Sequence, residues 1–204
     1  MNVPHDVFVP EAIETRRLRL RPFRESDAAA LHEALVESIA ALREHLWFLP
    51  WVAEEPTLES ARRRCERAQA AFIERSDLAY LAFHAETGRL VGSAGWHRTD
   101  WAAGKTEVGF WIRTRETGKG FATEAVNAFT EQAFAALRAR RVEFVADELN
   151  LASLAVARRC GFELEHTRHR TAQSPDGRWR NTLVHVRVAP HDAAGQPAAL
   201  QAAP

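Results

Sequence analysis

The sequence predicts a single α/β (α+β) domain with a mixed, mostly antiparallel central sheet of about seven strands and helices on both faces. Short apolar segments with the two-residue period of a strand are interspersed with longer segments that have the period of a helix. Their order is one strand, several helices, three strands, a helix, a strand, a helix and two strands. A run of adjacent strands followed by strand-helix-strand crossovers is typical of a mixed sheet.

The first strand and helix are predicted near the N-terminus. In "RRLRLRPF", Leu18 and Leu20 alternate with arginines, which is the pattern of a half-buried strand, and Pro22 ends it. The helix "SDAAALHEALVES" follows, with Ser26 or Asp27 as its N-cap. Residues 1–13 before this unit are interpreted as an N-terminal extension, and the domain is predicted to span residues 14–188.

Two more helices precede the middle strands. "IAALREHLWFLPW" predicts a second short helix that stops before Pro50, and "TLESARRRCERAQAAFIER" predicts a third that begins after Pro56. The apolar face predicted for this third helix consists of Leu58, Ala61, Cys65, Ala68 and Phe72.

The remaining elements follow from the same periods. "LAYLAFHAE" and "RLVGSAGW" form a hairpin around Thr87 and Gly88, and "KTEVGFWI" is the next strand. An amphipathic helix begins near Ala122, "RVEFVAD" is a strand, and "NLASLAVARRCGF" is a helix ended by Gly161. A hairpin around "SPDG" completes the domain. Residues 189–204 are rich in Ala, Pro and Gln, which predicts a disordered tail.

Composition excludes several function classes as first expectations. The 27 basic residues balance the 27 acidic ones, so no net field attracts nucleic acid or an anionic membrane. Cys65 and Cys160 are far apart and suggest neither a disulfide framework nor a metal site. No leader pattern or long apolar run is present, so a cytoplasmic protein is expected.

The segment "EVGFWIRTRETGKGFATEA" predicts an anion site. A strand passes through Gly118 and Gly120 into a helix, and the free N–H groups at a helix N-terminus favour phosphate. Arg115 and Lys119 add positive charge. A Walker A loop is excluded because Lys119 precedes a glycine, and a dinucleotide fingerprint is excluded because Thr123 replaces its third glycine. On this loop alone, tight strand-to-helix packing stays open as an alternative role for the glycines.

Two motifs together resemble a known superfamily. "RETGKGFA" resembles the Arg/Gln-x-x-Gly-x-Gly/Ala motif of the GNAT acyl-CoA-dependent N-acetyltransferases, and "NLASLAVARRCGF" resembles their second motif. The segments "ETRRLRLRPFRESDAAAL" and "EVGFWI" and the serine at position 153 are most similar to the branch that acetylates the N-termini of ribosomal proteins. The resemblance covers about residues 14–188.

The resemblance implies a GNAT fold that binds acetyl-CoA. The strands containing residues 107–112 and 141–147 would splay apart, and pantetheine would lie between them against residues 110–113, with the pyrophosphate on the glycine loop. The cofactor-binding residues implied in this way are Phe110, Trp111, Ile112, Arg113, Arg115, Thr117, Gly118, Lys119, Gly120, Phe121, Ala122, Thr123, Asn150, Ser153 and Arg158.

The resemblance also implies direct attack of an amine on the thioester, without an acyl-enzyme. Glu107 is the implied base and Ser153 the implied proton donor, each with an alternative purely structural role. Two positions depart from the superfamily pattern: Ala157 stands where many members carry a tyrosine, and Ala172 where the ribosomal branch can carry a glutamate.

Candidate acceptor-binding residues are Trp47, Trp51, Trp96 and His97, for which core packing is the alternative role. The expected acceptor is a protein N-terminal α-amine. A small amine, polyamine or antibiotic, a longer acyl group, and a CoA-binding regulatory module with weak transfer are the alternatives. A homodimer is possible by resemblance, and no metal is expected.

Overall fold

The computed structural model describes residues 7–190 of the 204-residue chain. Disorder is predicted for residues 189–204, of which residues 191–204 lie outside the described range. Between its ends the described chain forms one sheet with helices on both faces.

The sheet has eight strands in the spatial order β1-β2-β3-β4-β5-β6-β8-β7. The strands are β1 (Ile13–Glu14), β2 (Leu18–Pro22), β3 (Leu78–His84), β4 (Leu90–Asp100), β5 (Lys105–Ile112), β6 (Arg141–Asp147), β7 (Glu163–Gln173) and β8 (Trp179–Val188). Only β5 and β6 pair in parallel; every other neighbouring pair is antiparallel. The predicted mixed, mostly antiparallel architecture is therefore confirmed, with one strand more than expected. That strand, β1, is two residues long, which is too short to show a sequence period.

The helices divide between the two faces of the sheet. They are α1 (Ala28–Leu46), α2 (Pro50–Ala53), α3 (Leu58–Ile73), α4 (Phe121–Ala135) and α5 (Leu151–Arg159). Side chains of α1 and α3 pack with Leu81 and Trp111 on one face, while α4 and α5 pack with Tyr80, Trp96 and Val108 on the other. The prediction of two short helices before Pro50 was wrong in one respect. No glycine or proline interrupts residues 28–46, so α1 runs unbroken to Leu46 before the short α2 begins at Pro50.

The described part of the N-terminal extension packs onto the domain. Val7 and Ile13 are buried in the core on the α4 face, and Tyr80 Oη donates a hydrogen bond of 2.5 Å to the carbonyl of Pro10. Residues 7–13 thus contribute to the same core as residues 14–188.

Strands β5 and β6 pair over only three residues each. Lys105, Thr106 and Glu107 pair with residues 141–143, and beyond them the two strands separate. β5 continues along β4 as far as Ile112, and β6 continues along β8 as far as Asp147. The predicted splayed pair is therefore present, and it leaves facing strand edges of β5 and β6 without backbone partners on that side.

Candidate active site

The gap between β5 and β6 opens into a cleft of about 1650 Å³. Its walls come from the separated halves of β5 and β6, the N-terminal ends of α4 and α5, the α1–α2 segment and one side of α3. Because the sheet is split, the cleft reaches from the α4 face to the α3 face. Two reactants can therefore meet in it from opposite sides of the sheet.

The glycine loop forms one end of the cleft. Gly118 and Gly120 have φ values of 74° and 83°, and Gly120 is the N-cap of α4. The Glu124 N–H makes the hydrogen bond to the Gly120 carbonyl, so the N–H groups of residues 121–123 precede the first intrahelical bond. A Cβ on Gly118 would meet nothing within 4 Å. Glycine at position 118 therefore serves the left-handed backbone and an open surface, and the tight-packing alternative is not supported there.

The basic residues of this loop are held by carboxylates and do not line the cleft. Arg115 is bonded to Glu37, and Lys119 Nζ lies 2.9 Å from Glu116 Oε2. Arg113 is 2% exposed and pairs with Glu33 and Glu37. In this arrangement the three cations fix the loop to α1 and to itself. The anion-binding character of the cleft end then comes chiefly from backbone N–H groups.

Glu37 is the main anchor of that loop. Burial favours the protonated acid, but hydrogen bonds from the Arg115 side chain and N–H and from Arg113 lower the pKa of Glu37 to about 2. Its carboxylate accepts the Arg115 N–H at 2.8 Å and Arg113 Nε at 2.7 Å. The loop is therefore positioned by an ionised α1 side chain.

The N-terminus of α5 forms the second wall. Asn150 caps the helix, since its Oδ1 accepts the Ser153 N–H at 3.0 Å. The Ser153 side chain lines the cleft, and its hydroxyl makes no hydrogen bond to another residue in the 7–190 range. Arg158 does not line the cleft, whereas Arg159 does, with its Nε 3.4 Å from Thr123 Oγ1.

Strand β5 contributes alternating side chains to the two sides of the sheet. Phe110 and Ile112 pack toward the core on the α4 face, and Phe110 lies 5.7 Å from Phe144 between ring centroids. Trp111 points to the α3 face, where its ring centroid lies 6.2 Å from that of Trp51. All three β5 residues line the cleft. The strand therefore offers its unpaired edge and both sets of side chains to a ligand in the gap.

Glu107 lies at the last paired residue before the strands separate. The residue is 9% exposed, and its side chain lines the cleft and bonds through both oxygens to Arg98; Arg98 Nε lies 2.8 Å from Oε2. Burial alone would lower the pKa of Arg98, but the bond to Glu107 raises it. Each Glu107 oxygen keeps a second lone pair, so the carboxylate can accept a proton while Arg98 holds its orientation.

His97 pairs with Glu107 across the β4–β5 ladder and lines the cleft. Its Nδ1 lies 2.6 Å from Asp77 Oδ1. The ring lies on the backbone of β5, because a Cβ added to Gly109 would come within 2.7 Å of His97 Cδ2. His97, Asp77 and Glu107 therefore form a polar group on the α3 side of the cleft.

The predicted tryptophans separate into two sets. Trp47 and Trp51 line the cleft, and Trp47 Nε1 donates to the Gln173 carbonyl at 3.1 Å. Trp96 is 0% exposed on the opposite face of the sheet, where its Nε1 donates to the Phe129 carbonyl. The strand period explains this difference: Trp96 neighbours His97 in sequence, so its side chain points the other way.

Neither cysteine lines the cleft. Burial raises the pKa of the Cys65 and Cys160 thiols, in each case to about 11. Cys160 Sγ lies 3.6 Å from the Thr123 carbonyl oxygen. The cleft as described thus contains no thiolate that could accept an acyl group.

Sequence reasoning missed several cleft residues: Arg64, His45, Arg159, Asp147 and Arg180. For Arg159 a signal existed, because Ala152, Ser153, Val156 and Arg159 share one helical face while Arg158 falls beside it. The sequence pattern gives no sign of the Asp147–Arg180 pair. The two residues are 33 positions apart in sequence, and only the fold brings them together.

Within residues 7–190, no helix has the length and apolar character needed to cross a bilayer. No group of three or more potential metal ligands occurs among the same residues.

Comparisons with known proteins agree with this geometry. The sequence pattern of the "Acetyltransferase (GNAT) domain" family matches residues 17–163. The chain is 30% identical over 172 residues to the putative ribosomal N-acetyltransferase YdaF of Bacillus subtilis, covering 82% of this chain and 86% of that protein.

Solved structures of similar fold include two acetyltransferases. One is the ribosomal L7/L12 α-N-protein acetyltransferase RimL in complex with coenzyme A, with a TM-score of 0.78 and 23% identity over 87% of this chain and 98% of that one. The other is the microcin C7 self-immunity acetyltransferase MccE in complex with acetyl-CoA and AMP, with a TM-score of 0.79 and 18% identity over 89% of this chain and 98% of that one.

The cleft residues fit acetyl-CoA as co-substrate. The unpaired edge of β5 can hydrogen-bond an extended pantetheine amide chain, and the free N–H groups of residues 121–123 can bind a pyrophosphate. The family match covers β5, the glycine loop and α5, which form walls of this cleft. The chain belongs to the GNAT acetyltransferase family and is an acetyl-CoA-dependent N-acetyltransferase.

Proposed function

We propose that the chain transfers an acetyl group from acetyl-CoA to the N-terminal α-amine of a protein or peptide by direct attack of the amine. The observation that carries the proposal is the cleft itself: it passes through the split sheet and opens on the α3 side among Glu107, His97 and two tryptophans. The likeness to a putative ribosomal N-acetyltransferase supports a protein N-terminus as the acceptor.

Direct attack is supported by the residues that surround the cleft. Acetyl-CoA supplies a thioester that an uncharged amine can attack. The described walls offer no cysteine as an acyl carrier, and we assign Glu107, which lines the cleft, as the base that removes a proton from the amine. The N–C bond forms as the C–S bond breaks; one amine proton passes to Glu107, directly or through water, and the thiolate is protonated. We assign the Ser153 hydroxyl, which has no partner among the described residues, as the donor to the departing sulfur.

An α-amine suits such a modest base. At neutral pH, deprotonating an α-amine of pKa near 8 costs about 1 kcal/mol, whereas a lysine amine costs about 4–5 kcal/mol. A carboxylate that is already bonded to Arg98 is better suited to the amine with the lower cost of deprotonation, the α-amine.

The proposed cofactor contacts follow the cleft walls. We propose that residues 117–123 bind the pyrophosphate through their backbone and that residues 110–113 and Asn150 flank the pantetheine chain. Arg113, Arg115 and Lys119 would act by holding the loop through their carboxylate partners. Trp47, Trp51 and His97 are proposed to wall the acceptor side, from which Trp96 is separated by the sheet.

A matched peptide pair tests the acceptor. One peptide has a free α-amine and no lysine; the second has the same sequence, a blocked N-terminus and one internal lysine. We expect turnover of the first with stoichiometric release of CoA thiol, and little turnover of the second. Faster acetylation of the lysine peptide, or of small amines and polyamines supplied in parallel, would contradict a protein N-terminus as acceptor.

Two further properties stay predictions. A homodimer is checked by sedimentation of the purified chain with and without CoA. The cytoplasmic location is checked by fractionating cells that express the full chain.

A further inference from the structure

Arg64 of α3 lines the cleft and has no carboxylate or hydrogen-bond partner among the described residues. Its Nε is completely buried without a hydrogen bond, and none of its nitrogens makes an ion pair with any residue in the 7–190 range. The guanidinium carbon lies 3.7 Å from the centre of the Trp51 ring, and Trp51 in turn packs against Trp111 of β5. Arg64 is therefore held by stacking, with its hydrogen-bond donors unused.

The other arginines of the cleft differ from Arg64. Arg63 forms an ion pair with Glu54, Arg98 with Glu107, and Arg180 with Asp147. Arg67, Arg159 and Arg168 also lack a carboxylate among the described residues, but they are exposed and water can solvate them. Arg64 alone combines a buried polar atom with an absent counter-ion among these described cleft arginines.

The unpartnered guanidinium is still charged. Burial lowers the pKa of Arg64 to about 10, which leaves it protonated at neutral pH. The carboxylate of Asp77 contributes favourably at longer range, but its Oδ1 is bonded to His97 and lies outside ion-pair distance of Arg64. Arg64 as a whole is half-buried, but its buried Nε has neither a hydrogen bond nor an ion pair, so no polar contact within residues 7–190 explains an arginine at this position.

Stacking on Trp51 orients the guanidinium without using its N–H groups. A planar fork fixed in this way is suited to bind a carboxylate through two parallel hydrogen bonds. Arg64 lines the same cavity as Glu107, on the α3 side where the acceptor enters. An acceptor whose amine reaches the base could thus place a nearby anionic group on Arg64.

We propose that Arg64 recognises a carboxylate on the acceptor, and that the preferred acceptors are peptides with Asp or Glu at the second or third residue. This specificity rests on the proposed transfer to an N-terminal amine. The peptide carboxylate would complete the ion pair that Arg64 lacks, while the α-amine lies toward Glu107.

Peptide pairs that differ only in charge test the proposal. Peptides with Ala at the first position carry Asp or Asn at position two, or Glu or Gln at position three, and kcat/KM is measured for each. A charge-assisted hydrogen bond between Arg64 and the peptide carboxylate should raise kcat/KM about 10- to 100-fold. We expect the acidic peptide to show this preference in at least one of the two peptide pairs. In Arg64→Gln the acidic-to-neutral ratio should fall close to one, and Arg64→Lys should restore part of it.

The control is Arg62→Gln, which removes an arginine from the same helix outside the cleft. It should keep the wild-type ratio. Thermal unfolding supplies a second readout: Arg64→Gln should unfold at a temperature close to that of the wild type, because it loses the stacking on Trp51 but breaks no hydrogen bond or ion pair and removes a partly desolvated charge. A strong loss of stability would identify Arg64 as a structural residue and overturn the proposal.

The carboxylate site at Arg64 and the proposed N-terminal acetylation can be overturned by different results. If neutral and acidic peptides are acetylated equally by the wild-type chain, the carboxylate site is wrong and the N-terminal acetyltransferase proposal stands. If no peptide is acetylated, the proposed function is wrong, and calorimetry with succinate in the presence of CoA then judges the site by itself. Succinate binding to wild type that is lost in Arg64→Gln supports the site, and equal or absent binding overturns it. A preference for phosphoserine over both Asp and Glu peptides also contradicts the carboxylate assignment.

Discussion

Glu107 occupies the point where paired strand becomes open cleft. Its neighbours Arg98 and His97 come from β4, and its ladder partner Glu143 comes from β6. A carboxylate at this point can face the amine while Arg98 holds it in one orientation. The exposed Arg98 side chain can yield one contact when the carboxylate accepts a proton.

Glu107→Gln should lower kcat at neutral pH by about 10- to 100-fold, because the amine must then lose its proton without a base. The loss should shrink as pH rises past the amine pKa near 8, where a growing fraction of amine is already neutral. Steady-state rates between pH 6.5 and 9.5 give this profile. Glu143→Gln is the matched control, since Glu143 is equally buried, bonds to Arg141 and does not line the cleft. A wild-type profile in Glu107→Gln removes Glu107 from the mechanism.

The two motifs could be located from the sequence, whereas the contacts of their side chains depend on packing. Thr117, Gly118, Gly120 and Asn150 line the cleft, but Arg115 and Lys119 of the same loop do not. Arg64 could not be recognised, because its burial and lack of a partner depend on Trp51 of another helix. Tyr80, the only tyrosine, is buried on the α4 face, so no described tyrosine compensates for Ala157.

At the scale of elements, the connection from β5 to α4 carries the proposed cofactor site. Two left-handed glycines turn the chain, and the free N–H groups of α4 point into the cleft end. The turn is anchored through Glu37 of α1, which bonds both Arg113 and Arg115. The sequence could predict the glycine turn from its letters, but not this anchor, since 76 residues separate Glu37 from Arg113.

Gly120→Ala tests that connection. A Cβ at a φ of 83° costs about 1–2 kcal/mol of stability and would stand beside the N–H groups that we propose bind the pyrophosphate. Gly88→Ala is the control, because Gly88 has a φ of 66°, open space around it and a position away from the cleft. Both variants should lose similar stability in urea unfolding, but only Gly120→Ala should raise the KM for acetyl-CoA. An equal KM in the two variants would argue against backbone binding at Gly120.

Glu37→Gln should change the acid stability of the domain. The folded pKa of Glu37, about 2, lies below its ordinary value of 4.5. Its contribution is therefore complete above about pH 4.5 and is lost as pH falls toward 2. Urea unfolding should show wild type more stable than Glu37→Gln at pH 6, with the difference narrowing between pH 4.5 and 2. A difference that is constant over this range would show that the ionised Glu37 does not stabilise the loop.

At the scale of the whole molecule, one sheet is divided so that two reactants can meet within it. β5 and β6 are held together by three residue pairs at one end and separate toward the other, where α4 and α5 place their N-termini. We propose that the acceptor enters from the α3 face. Strand periods and motifs predicted this architecture, while the short β1 and the packing of residues 7–13 depended on tertiary contacts that no local pattern shows.

The most direct test of direct transfer is a single-turnover experiment. The chain is mixed with a stoichiometric amount of acetyl-CoA and an excess of an Ala-initiated peptide, quenched at successive times, and peptide and protein are analysed by mass spectrometry. We predict that the acetyl group appears on the peptide α-amine as CoA is released, with no acetylated protein at any time. An acetylated protein that forms and decays before the peptide product, or release of CoA without acetylated peptide, would contradict the account.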